Sequence, residues 1–97
     1  TSEVLERALF LLEEDGWCQG HAVNAQGERC ILGAIRTALG NDTDSIVPHG
    51  DFVRAVIDDV FVAEWNDERG RTFAEVREAL LDAASLAMSE EEVTNGT

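Results

Sequence analysis

The chain has 97 residues and a mass of 10.6 kDa, with 20 acidic residues against 7 basic ones, a net charge of −13 and two cysteines. A chain this short forms one domain and buries only about 60 to 65% of its unfolded surface, which excludes multidomain enzymes and leaves little room for a large interior cofactor. Every basic residue is an arginine, scattered as Arg7, Arg29, Arg36, Arg54, Arg69, Arg71 and Arg77, so neither direct nucleic acid binding, which needs clustered positive charge, nor an anionic membrane surface is expected.

Residues 3–15, EVLERALFLLEED, put Val4, Leu5, Ala8, Leu9, Leu11 and Leu12 on one stripe, with Glu3, Glu6, Arg7, Glu13 and Glu14 mostly outside it. This spacing predicts an amphipathic helix, with Ser2 as N-cap, Glu3 in the first turn and Gly16 as its stop. Residues 17–29, WCQGHAVNAQGER, carry turn formers around Ala25 and Gly27 and fit a loop or a very short β-hairpin. From Cys30 onward, Cys30, Ile31, Ala34, Ile35 and Ala38 share a face of a second helix that ends at Gly40. Gly33, Ala34 and Ala38 let another backbone come close, so this helix is expected to be the central and most buried one. Residues 40–50, GNDTDSIVPHG, contain the only proline and two glycines and read as a surface loop.

A third helix is expected from Asp51, as cap, to Glu64, with Phe52, Val53, Val56, Ile57, Val60 and Phe61 inward and Asp58, Asp59 and Glu64 outward. TFAE at residues 72–75 is a capping box, in which the Thr72 hydroxyl and the Glu75 carboxylate each satisfy a free amide. Phe73, Val76, Leu80, Ala83, Ala84 and Ala87 continue the fourth helical stripe. The expected fold is therefore mainly α, a four-helix domain over residues 1–88 with a short β-hairpin between helices 1 and 2 as the alternative to a plain loop. SEEEVTNGT at residues 89–97 has no periodicity and is expected to be a flexible acidic tail. Phe10, Val62 and Leu86 are surplus to the stripes and mark where an exposed patch, or a homodimer contact, should be sought.

Cys18 and His21, with two residues between them, followed by Cys30 and by His49, offer the thiolates and imidazoles that zinc takes. A structural zinc site shows two tight pairs, whereas a whole helix separates Cys30 from His49. The reading preferred from the sequence is a reduced core Cys30, a half-buried Cys18 beside Trp17, two solvent-facing loop histidines, and neither metal nor cofactor. A cysteine nucleophile with His21 or His49 as base finds no orienting acid, and neither GxSxG nor a phosphate-binding glycine loop is present. Glu13 with Glu14, and Asp58 with Asp59, are adjacent and point apart on a helix. No enzymatic activity and no catalytic residue are expected.

GWCQG at residues 16–20 and WNDERGRT at residues 65–72 are two turns headed by tryptophan. Trp17 and Trp65 have the amphipathic bulk of interface anchors, and Gln19, Asn66, Asp67 and Arg71 supply hydrogen bonds around them, so these six are the candidate partner-binding residues. The competing structural reading has both tryptophans capping the core while Asn66 and Asp67 bond amides of their own turn. Together with CILGAI at residues 30–35 and the EV pair at residues 75 and 76, these motifs resemble a family of small proteins known only as a domain of unknown function, found in actinobacteria and their phages. The resemblance runs from Val4 to Ala87 and implies a similar fold and such a source, which the lysine-free composition also suits. It implies no activity, substrate or cofactor, and His21 lies outside its pattern.

The expected function is that of a small acidic, cytoplasmic binding or regulatory module acting on a protein partner. The N-terminus lacks the basic-then-apolar order of a secretory signal, and no run approaches the roughly 20 apolar residues of a membrane span. Two alternatives remain open at this point: an inhibitor that imitates the charge of nucleic acid, for which the carboxylates must form one continuous stripe, and a zinc-stabilised domain built on Cys18, His21 and Cys30.

Overall fold

The computed structural model describes residues 2–40, 46–57 and 61–96, with side chains except at residues 46–48 and 91–96. It is mainly helical, with five helices among the described residues: α1 (Ser2–Asp15), α2 (Ile31–Leu39), α3 (Ile46–Ile57), α4 (Val62–Asp67) and α5 (Phe73–Gly96). No helix among them is long and apolar enough to cross a membrane.

α1 follows the expected stripe, burying Leu5, Ala8, Leu9 and Leu12, but it already includes Ser2, expected to precede it as the cap. The Gly16 N–H donates to Leu12 O across 2.9 Å, and Gly16 turns the chain with φ +102°, where L side chains are strained. Residues 17–29 form no hairpin. Instead Arg29 makes two isolated bridges, parallel to Trp17 on one side and antiparallel to Val23 on the other. Asn24 shapes the turn between Val23 and Arg29: its Oδ1 accepts the Gln26 and Glu28 amides at 3.1 and 2.9 Å, and its own N–H donates to Glu28 O at 2.9 Å.

Cys30 stands just outside α2 as its N-cap, with Sγ accepting the Gly33 N–H at 3.3 Å. It is buried, as expected, but in the role that serine or aspartate usually fills. α2 buries Ile31, Gly33, Ala34 and Ile35 and packs on α1, α3 and α4. The expected close approach occurs at Gly33, and the approaching backbone is the loop rather than a helix: a Cβ there would lie 2.0 Å from Ala22 O.

The third expected helix is two helices. α3 starts at Ile46, before Asp51, because Pro48 falls in its first turn, where a missing N–H removes no helical bond. Asp51, expected as the cap, instead pairs with Arg54 one turn on. α3 ends at Ile57, and the expected inward Val60 and outward Asp58 and Asp59 lie outside the described residues. α4 restarts after Phe61, which is 59% exposed rather than in the core. The Thr72 capping box forms as expected: the Thr72 N–H donates to Glu75 Oε1 at 3.1 Å, and the Glu75 N–H donates to Thr72 Oγ1 at 3.3 Å. α5 then buries Val76, Leu80, Ala83, Ala84 and Ala87 and runs on to Gly96, through the residues expected to form the tail.

α5 packs against α1 and α3. Arg77 Nε donates to Glu13 Oε1 across 3.2 Å, tying the end of α1 to the beginning of α5. Leu5, Leu12, Ile31, Ile35, Val53, Val62, Val76 and Leu80 form the centre of a single core. Burying each such side chain stabilises the fold by about 1.5 to 3 kcal/mol.

Candidate functional site

The two tryptophan turns, far apart in the sequence, meet in the structure. Their junction is Asn66, on α4 and itself 0% exposed. Its Oδ1 accepts Trp17 Nε1–H at 2.7 Å and the Ile31 N–H at 3.1 Å. Its Nδ2 donates to Cys18 O at 3.1 Å and to Asp67 Oδ1 at 2.9 Å. All four hydrogen-bonding positions of the amide are used. One side chain thus joins the 16–20 turn, the first amide of α2 and α4.

Further bonds seal this seam. Gln19 Nε2 donates to Asn66 O at 3.0 Å and Glu68 O at 2.9 Å, and the Gly20 N–H donates to Asp67 Oδ1 at 2.9 Å. Arg71 lies over the Trp65 ring, 3.8 Å from its centroid, and its Nε donates to Trp65 O at 2.9 Å. The rest of its guanidinium bridges Glu75 at 2.7 Å and Glu68 at 2.5 Å. The Glu75 carboxyl is held below the usual carboxylate range, first by the Thr72 amide and then by Arg71 and the Thr72 hydroxyl. All six candidate residues therefore come together, with their polar groups directed largely at one another and at the opposite turn. Asn66 and Asp67 do not bond amides of their own turn, as the structural reading expected, but the amides of Ile31 and Gly20.

The Cys18 thiol is buried and donates to His21 O and Glu28 O, both at 3.3 Å. Burial pushes its pKa up, and the nearby Cys30, Glu28 and Asp67 add to this. The protonated thiol is favoured, whereas a metal ligand or nucleophile must be a thiolate. Cys30 Sγ caps α2, and no group of three or more His, Cys, Asp or Glu side chains that could hold a metal ion occurs among the described residues. His21 is exposed as expected, but His49 is buried within α3 rather than solvent-facing, since α3 begins earlier than its sequence suggests.

Of the residues surplus to the stripes, Phe10 is 57% exposed, Leu86 is half-buried, and Val62 is in the core, facing inward once α4 is set off as its own helix. Leu81 and Met88, also exposed, were not singled out by the sequence. Their spacing of seven residues outside the core stripe is the signal that marks them.

The family of unknown function (DUF6197) matches residues 1–86, and the chain belongs to it. No curated protein and no solved structure matches.

Proposed function

We propose that this family member is a small protein-binding or regulatory module, not an enzyme, acting in the cytoplasm of an actinobacterium or one of its phages through the outer face of the α1–α5 pair. The observation that supports this reading is the exposure of Phe10, Leu81 and Met88 on that pair. Counted from the Glu13–Arg77 bridge, Phe10 lies one turn back along α1, Leu81 one turn on along α5, and Met88 two turns farther along the Leu81 stripe. The same two helices expose Glu6, Glu13, Glu14, Glu78 and Asp82 against Arg7 and Arg77. An apolar strip set in carboxylates suits a partner with apolar side chains ringed by basic ones. The tryptophan turns serve this reading as scaffold, since their polar groups are spent on each other.

A photo-crosslinking residue introduced at position 10 or 81 tests it in an actinobacterial lysate. One basic protein should be captured from both positions and not from position 23, and unlabelled chain should compete where the Phe10→Glu, Leu81→Glu double variant does not. Capture that is equal from position 23, or that is competed equally by the double variant, refutes the assigned face.

A further inference from the structure

We infer that the groove between the His21–Val23 segment and α2 binds a small molecule bearing a single oxyanion, a carboxylate or a phosphate, gripped by Arg36 and Arg29. The groove has a volume of about 450 Å³, within the range of small-molecule sites. In a chain with 20 acidic residues and a net charge of −13, its walls carry His21, Arg29 and Arg36 and no carboxylate.

The state of the two guanidiniums strengthens the case. Arg54, Arg71 and Arg77 are each committed to carboxylates. The exposed side chain of Arg36 makes no ion pair or hydrogen bond among the described residues. Arg29, which lines the groove, meets Asp15 through Nη1 alone, at 2.7 Å, leaving Nη2 without a carboxylate among the described residues. Planar guanidinium forks are matched to carboxylate and phosphate oxygens, and such charge-assisted bonds are roughly twice as strong as neutral ones. Arg7 and Arg69 also lack ion pairs among the described residues, but Arg7 shares its depression with Glu3.

The shape of the ligand follows from the adjoining depression of about 240 Å³, which shares His21, Gly33 and Arg36 with the groove. Leu32 and Ala63 give its lining an apolar part, and Asp67 also lines it. An apolar body fits there, and Asp67 opposes a second anionic group. The overall negative charge likewise disfavours a long polyanion while leaving a small ligand, screened beyond about 8 Å in physiological salt, free to approach.

The test is an NMR titration of the full chain with inorganic phosphate and, separately, with acetate, at ionic strength held constant with chloride. The arginine Nε–H signal of Arg36 and the backbone amides of residues 21–23 and 33–37 should shift saturably. Response to phosphate alone assigns a phosphate ester, response to acetate alone a carboxylate, and either supports the site. The Arg36→Gln variant, at an exposed position that should leave thermal stability unchanged, should weaken binding about tenfold or more. Shifts that stay linear in concentration, that appear equally at Arg7 and Arg69, or that persist undiminished in the variant overturn the proposal.

Discussion

Replacing Asn66 with alanine should be the most damaging single truncation of a polar side chain in this protein. The substitution removes the acceptor of Trp17 Nε1–H and of the Ile31 N–H, and the donor to Cys18 O. Asp67 Oδ1 also loses a bond but keeps the Gly20 N–H. An orphaned buried donor or acceptor costs about 1 to 3 kcal/mol. Because Trp17 is only partly buried, water can relieve its indole, so the expected loss for Asn66→Ala is about 3 to 6 kcal/mol. Small domains have about 5 to 15 kcal/mol in all, and each kcal/mol moves the melting midpoint by about 4 to 8 °C at this size. A fall of roughly 12 °C or more is therefore expected. Urea unfolding followed by tryptophan fluorescence and by far-ultraviolet circular dichroism measures the loss directly. A variant whose midpoint lies within about 1 kcal/mol of the parent would refute the argument that this amide locks the two turns together.

Two further outcomes follow from local geometry. Gly33→Ala places a methyl group 2.0 Å from Ala22 O, which is backbone and must move; a loss of about 2 to 3 kcal/mol in urea unfolding is expected, and a neutral effect would mean that the loop yields freely. Glu75 has a folded-state pKa below its unfolded value, so its stabilisation is present above the ordinary carboxylate pKa and declines as pH falls through the lowered folded value. The Glu75→Gln variant should lose that component, visible as a flatter unfolding midpoint between neutral and acid pH, while identical profiles would count against the Thr72 and Arg71 contacts.

Much of the helical architecture was legible because it is periodic or carried by a few adjacent residues. The stripe Leu5, Ala8, Leu9 and Leu12, the stop at Gly16 and the Thr72–Glu75 box depend on residues within a turn or two of one another. Misreadings arose where one residue type has two uses. Pro48 marks a loop or a helix's first turn equally well, and the apolar run through Phe61 and Val62 hides a break between two helices. The candidate site was legible as a set of residues but not as an arrangement. Trp17 and Asn66 are 49 positions apart, and nothing local in either turn announces the other as its partner. The arginines of the groove were invisible for a similar reason: Arg29 and Arg36 become neighbours only when the loop crosses α2 at Gly33.

α4 has six residues, and its N-cap residue Phe61 makes no side-chain capping bond, so by length alone it falls well below what water permits an isolated helix. Its helicity is borrowed from the 16–20 turn through Asn66, Gln19 and Asp67. The turn, in turn, takes from α4 the partners of the Trp17 indole, the Cys18 carbonyl and the Gly20 amide. Two segments separated by almost half the chain therefore share one opening equilibrium, and their amides should exchange with solvent in step. A disturbance at either end reaches the other without passing along the sequence.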